Sequence, residues 1–210
     1  MGVEAERYLI VNADDLGLLT AVNEGVFSAH ERGIVTSASL MVDRPAASAA
    51  AEALTEYPEL AVGLHLEPDD CRGQLDRFRE LVGHDPTHLD SHKYAHEAEP
   101  VRAVAEEMAA ELGVPLRNRR VRYEGSFYGR TADGEPASEA ISPERLIELI
   151  ETLPPGWTEI GCHPAAGPVP SSSYDAERQV ELRTLCDPQV KILLNVSDVR
   201  LCSFAQVGKG

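Results

Sequence analysis

Two adjacent carboxylates, Asp14 and Asp15, and the histidines at positions 65 and 92 are the residues of this 210-residue chain whose types and spacing best fit catalysis. One carboxylate with two imidazoles makes a three-ligand set for a divalent ion that leaves positions open for water and substrate. A second carboxylate beside it is placed to take a proton from an attacking water, so adjacent aspartates can divide the two roles. Taken singly, each residue also has a plain structural use. The aspartate pair fits an Asx turn at a strand end, and His65, between Leu64 and Leu66, fits a hydrogen-bonded core histidine. His92 lies in a denser setting: His88, His92 and His96 stand at four-residue intervals, with Asp90 among them to orient an imidazole.

These residues converge only if the chain delivers them to one face. Tyr8 to Val11 reads as a buried strand that Asn12 to Asp15 and Gly17 stop. Thr20 is expected to cap a helix with Val22, Val26 and Ala29 inward, ended by Gly33. Strands are expected over Ile34 to Val42, Leu60 to Leu66, Thr87 to Ser91, Val114 to Leu116, Thr158 to Cys162 and Arg200 to Phe204. Helices fall between them: from Pro45 to about Tyr57, Gln74 to Val82, Pro100 to Leu112, after Ser142-Pro143, and over Asp175 to Cys186 and Pro188 to Val196. Arg117 to Glu139 reads as polar and irregular, and Gly161 to Ser173 as a long loop. Repeated strand–helix units imply a parallel sheet, here a single-domain α/β barrel of roughly seven strands spanning residues 1–210. In such a barrel Asp14, Asp15, His65 and His92 all fall at the C-terminal ends of strands, where active sites assemble.

The 19 basic residues face 35 acidic ones, and the net charge of −16 argues against nucleic acid or an anionic membrane as partner. Only three of the basic residues are lysines, Lys93, Lys191 and Lys209. Cys71, Cys162, Cys186 and Cys202 form neither a C-x-x-C pair nor a dense framework, which points to reduced thiols in a cytoplasmic protein. The acidic start and short apolar run of the N-terminus fit neither a signal peptide nor a membrane span. Tyr123 to Tyr128, with Phe127, could form an aromatic wall against which a sugar ring packs, or could pack within the barrel.

Several ordered motifs then make a resemblance specific: Asn12-Ala13-Asp14-Asp15-Leu16-Gly17, Gly33-Ile34-Val35-Thr36-Ser37 through Met41, Gly63-Leu64-His65-Leu66, Pro86 through His92, and Cys162-His163-Pro164. In this order they resemble the YdjC-like carbohydrate deacetylases, which include chitooligosaccharide deacetylases, and the similarity runs from about Tyr8 to Phe204. The resemblance implies a distorted (β/α) barrel that removes acetyl groups from N-acetylated amino sugars with one divalent ion, magnesium or zinc. It implies Asp15, His65 and His92 as metal ligands, Asp14 as the base, and His163 as the group that protonates the leaving amine or holds the oxyanion. Arg117 falls where the family carries an arginine, to orient a carboxylate or contact a sugar hydroxyl, although the run Arg117-Asn118-Arg119-Arg120 also fits a solvated charge cluster. Tyr128 is the expected sugar-packing residue.

This chain departs from the family at Leu16, commonly Phe, and at Lys93 and Tyr94, where the family continues a histidine run. The larger departure is the segment Leu66 to Gly73, much shorter than is typical. It implies a more open cleft, another substrate, or a homodimer in which the second subunit supplies part of the wall. Two alternatives stand beside the deacetylase: a degenerate member that binds sugar or metal without turnover, which the short loop motivates, and a metal-dependent phosphoesterase, for which the additional ligands of a two-metal site are missing.

Overall fold

Strand β1, Arg7–Leu16, is the axis of the molecule, and it is buried along its whole C-terminal part because neighbours cover both of its faces. The structure is a computed structural model and describes residues 6–170 and 172–208. Around β1 the chain adds β2 (Ser37–Leu40), β3 (Ala61–Leu66), β4 (Leu89–Ser91), β5 (Arg122–Glu124), β6 (Gly156–Cys162) and β7 (Val199–Cys202). The sheet order is β4-β3-β2-β1-β6-β5, with every pairing parallel. β7 pairs with Arg7 to Ile10 and β2 with Asn12 to Leu16, so two strands share one edge of β1 end to end. The parallel sheet curls into a partial barrel with helices outside it.

Alternation of apolar strands with amphipathic helices gives the crossovers that bring every strand back parallel. The helices are α1 (Thr20–Arg32), α2 (Ala47–Ala53), α3 (Cys71–Val82), α4 (Val101–Leu112), α5 (Pro143–Glu151), α6 (Asp175–Leu185) and α7 (Pro188–Val196). Ser142 caps α5 as its sequence predicts, accepting the Arg145 N–H at 3.2 Å. Thr20 does not cap α1: the cap position is Leu19, and no side chain bonds there. α3 begins earlier than Gln74 because Asp70, in a left-handed conformation, caps it by accepting the Gly73 N–H at 3.2 Å.

Two strands differ from expectation. β1 does not stop at Asn12 but carries Asn12 through Leu16 within the sheet, where the polar side chains find partners described below. The expected strand at Val114 to Leu116 is reduced to one bridge, Leu89↔Leu116, and the chain turns at Asn118, whose φ is +59°. The fifth strand is instead Arg122–Glu124, inside the stretch read as irregular; at three residues on the sheet's edge it is too short and too charged to show an apolar period.

Candidate active site

The C-terminal ends of the strands surround a cavity of about 330 Å³. Asp14, Asp15, His65, His92, Arg117, Tyr128 and His163 all line it. The other two histidines of the dense cluster do not. His88 is buried and stacks on Phe204 with centroids 3.9 Å apart, and His96 is buried with Nδ1 2.6 Å from the Ser91 hydroxyl.

Side chains alternate across a strand, so adjacent aspartates on a regular strand would face opposite ways. Here the register of β1 against β2 slips between Ala13 and Leu16, and Asp15 takes the left-handed conformation with φ +67°. That irregularity, uncommon for a residue with a β-carbon, turns both carboxylates into the same cavity.

Arg117 anchors one side of the site. It is 1% exposed, and its guanidinium forks onto Asp14 with two hydrogen bonds of 2.7 Å. The same group donates to Glu159 at 2.6 and 2.9 Å and lies 2.8 Å from Asp90. With its nitrogens committed to three carboxylates, Arg117 orients acidic groups and is no solvated charge. Asn12 donates to Asp14 at 2.9 Å and to Ser39 at 2.7 Å, and Ser39 donates to Asp90 at 2.6 Å. Burial pushes the Asp14 carboxyl up, but Arg117 outweighs it and holds the group below the usual carboxylate range. Burial dominates at Glu159, whose pKa is pushed up to about 7 despite Arg117.

The other side of the site is built around His65. Its Nδ1 lies 2.8 Å from Asp90 Oδ1, which fixes the ring and leaves Nε2 facing Asp15 Oδ1 at 3.4 Å. Arg178 donates to Asp15 Oδ2 at 2.6 Å, whereas Asp15 Oδ1 is buried without a hydrogen-bond partner. Burial alone would lower the His65 pKa, yet Asp90 and Asp15 raise it to about 10. This corner of the cavity therefore favours positive charge. The His92 ring lies 5.9 Å from that of His65, half-buried, and burial lowers its pKa. Asp14, His65 and Asp90, all buried, each offer a ligand atom within 4.8 Å of the others, close enough to hold a metal ion.

His163 follows β6, with Nε2 3.9 Å from Asp14 Oδ2 and Nδ1 3.9 Å from Glu181 Oε1. Burial would lower its pKa, but Glu181 and Asp14 raise it. Tyr128 stacks on Tyr174 at 4.5 Å with one face outward, and His163 meets both rings edge-on.

Glu159, Arg178 and Glu181 were not singled out by the sequence motifs. For the last two a signal exists: Glu177, Arg178, Glu181 and Thr184 fall at helical spacing and are all buried, so α6 turns its charged stripe inward. Such a stripe ordinarily marks the solvent face of a helix.

A parallel sheet curled into a partial barrel, with carboxylates and imidazoles gathered at the C-terminal ends of its strands, defines a (β/α)-barrel protein with an enzyme-type site. The model of the family described as YdjC-like protein matches residues 8–67 and 69–196, and the chain belongs to that family. It is 32% identical to a carbohydrate deacetylase of Geobacillus stearothermophilus, over 97% of this chain and 99% of the relative. It is 30% identical to a chitooligosaccharide deacetylase of Klebsiella pneumoniae, over 96% of this chain and the whole of that one. A solved protein of Enterococcus faecalis V583 superposes with a TM-score of 0.83 at 24% identity, covering 97% of this chain and 99% of that one. A family 4 carbohydrate esterase of Streptomyces lividans shares the fold more distantly, with a TM-score of 0.57 at 13% identity and coverage of 95% and 92%. The first alignment runs over 253 positions, more than the 210 residues here, so that relative carries segments this chain lacks. The family match breaks at residue 68, within the segment Leu66 to Gly73 that follows His65.

Proposed function

We infer that the protein is a metal-dependent hydrolase that removes acetyl groups from N-acetylated amino sugars, as mono- or oligosaccharides. The relatives named as carbohydrate and chitooligosaccharide deacetylases, matched along nearly the whole chain, support the reaction class. One observation carries the reading of the site: the buried, unpartnered Asp15 Oδ1 facing the tethered His65 in a corner that favours positive charge. Asp15, His65 and His92 would hold one divalent ion, magnesium or zinc. Asp14 and Asp90 are poorer candidates, because Arg117 already neutralises both. An ion in that corner supplies Lewis acidity toward an acyl carbonyl and a nearby water.

The chain's own residues do the rest. Asp14, kept ionised and fixed by Arg117, takes a proton from the attacking water. His163 gives a proton to the departing amine. Tyr128 offers its free face to the sugar ring, the usual use of an aromatic side chain in a wet cleft. Four free cysteines suit a reducing cytoplasm, and among the described residues no helix is long and apolar enough to cross a membrane. The shortened segment after His65 leaves room for a second subunit of a homodimer to complete the cleft. That segment also favours the competing reading of a member that binds sugar without turnover.

Acetate release separates the two readings. N-acetylglucosamine and its oligomers are incubated with chelated, metal-restored and Asp14→Asn protein. Turnover should require the ion and fall by about 10²–10⁴-fold in the variant. Release that survives both chelation and the substitution overturns the mechanism, and no release from any substrate supports the non-catalytic member.

A further inference from the structure

Helix α6 carries a carboxylate that the sequence motifs do not mark. Glu181 is 0% exposed, and both of its oxygens are occupied. Oε2 accepts the backbone N–H of His163. Oε1 accepts the Tyr174 hydroxyl at 2.5 Å and lies 3.9 Å from His163 Nδ1, a buried nitrogen with no hydrogen-bond partner. The Tyr174 oxygen accepts in turn from the Gly129 N–H at 2.6 Å, which closes the network. A carboxylate is removed from water only at a heavy desolvation cost, and here it is spent on one histidine and the tyrosine that steadies it.

The remaining surroundings of His163 leave its ring one direction to act in. Tyr174 and Tyr128 meet it edge-on, at 5.5 and 5.7 Å between centroids, and α6 closes the Nδ1 side. Its Nε2 looks into the cavity, 3.9 Å from Asp14. The charged groups around the ring are Asp14 and Asp15 from β1 and Glu181 from α6; Arg178, also from α6, is occupied by Asp15.

We propose that Glu181, steadied by Tyr174, is the positioning residue that fixes the backbone and ring of His163 so that Nε2 faces the nitrogen of the scissile amide. The proposal rests on the reading of His163 as proton donor. When the tetrahedral adduct collapses, the C–N bond breaks and its electron pair goes to nitrogen. The proton on Nε2 moves to that nitrogen, giving acetate and a free amine and leaving a neutral imidazole. Asp14 gives up to solvent the proton it took from water, the imidazole regains one from solvent, and Glu181 keeps its partners throughout.

Leaving-group dependence tests this. An amine cannot leave unprotonated, whereas 4-nitrophenolate can, so a misplaced proton donor should cost the amide more than the aryl ester. Metal-loaded full-length protein is assayed on N,N′-diacetylchitobiose and on 4-nitrophenyl acetate, with His163→Ala as the reference variant. Glu181→Ala should follow the reference: kcat on the amide falls about 10²-fold, KM stays within about twofold, and the amide-to-ester ratio drops. Tyr174→Phe should move the same way by about fivefold, the loss of one hydrogen bond. If Glu181→Ala does not give folded protein, the single-hydroxyl deletion in Tyr174→Phe decides by the same criteria. Unchanged amide kcat in the folded variants, or equal loss on both substrates, overturns the proposal. If His163→Ala itself leaves the ratio unchanged, the proton-donor reading fails first and takes the proposal with it.

Discussion

Substituting Arg117 by methionine keeps much of the aliphatic volume and removes the guanidinium shared by Asp14, Asp90 and Glu159, all of them buried. Breaking a buried ion pair from one side costs about 3–5 kcal/mol, against a total stability of about 5–15 kcal/mol for a domain. The loss should depend on pH, and its sign follows from the carboxyls. In the wild type, Asp14 and Asp90 are held below their ordinary range; burial opposes this and Arg117 prevails. Their contribution is present above the unfolded carboxylate value and disappears as pH falls through the folded one. Glu159, with its pKa pushed up by burial to about 7, behaves oppositely: its contribution is present below the unfolded value and lost as pH rises through 7. Without Arg117, the largest influence holding Asp14 and Asp90 down is gone and burial pushes both carboxyls upward, with His65 left as the remaining opposing charge. The variant should therefore recover stability on acidification, and the gap to wild type should narrow from about 3–5 kcal/mol at pH 8 by about 1.4 kcal/mol per pH unit for each carboxyl that is protonated in the folded variant while still ionised in the folded wild type. Urea unfolding of both proteins from pH 5 to 8 measures the gap. A gap below about 1 kcal/mol, or one that stays constant across that range, would refute the account of Arg117 as the shared counter-charge.

Tyr128→Ala should raise KM for an N-acetylated oligosaccharide about tenfold, with kcat within about twofold, because it deletes a stacking surface and leaves His163 and the carboxylates in place; steady-state kinetics decide, and an unchanged KM removes Tyr128 from the sugar site. At Gly25 in α1 an added β-carbon would stand 2.4 Å from the Ala165 backbone, so Gly25→Ala must push apart the helix and the loop that carries His163. It should cost about 1–3 kcal/mol in thermal unfolding and lower kcat as well, whereas Gly167→Ala, whose nearest neighbour is 3.6 Å away, should do neither.

What the sequence conveys here follows from which interactions are periodic. Most of the long helices repeat apolar side chains at 3.6, and the buried strand Ala61–Leu66 has His65 as its one polar residue, so they are visible in one dimension. β5 is three residues on an edge, and its pairing with Thr158 to Ile160 is decided by the neighbour, not by its own composition. The end of β1 was hidden for another reason. Asn12, Asp14 and Asp15 look like loop residues because burying them alone is expensive; inside the fold Ser39, Arg117 and Arg178, from distant segments, offset that cost. The same logic concealed Glu159 and Glu181, whose partners lie on other elements.

The segment from Leu66 to Gly73 bears on the wall of the cleft more than on its chemistry. Asp14, Asp15, His65, Asp90 and Glu159 are rooted in strands, and His163 is pinned by α6, so no group in the proposed reaction hangs from Leu66 to Gly73. Lys93 and Tyr94, both with positive φ directly after His92, line the rim of the cavity. Tyr94 is 50% exposed there and meets Tyr123, 3.3 Å between hydroxyls. Of the proposed ligands only His92 belongs to this turn, whereas Asp15 and His65 stand on strands, so a change at the rim should alter which sugar enters before it alters the reaction.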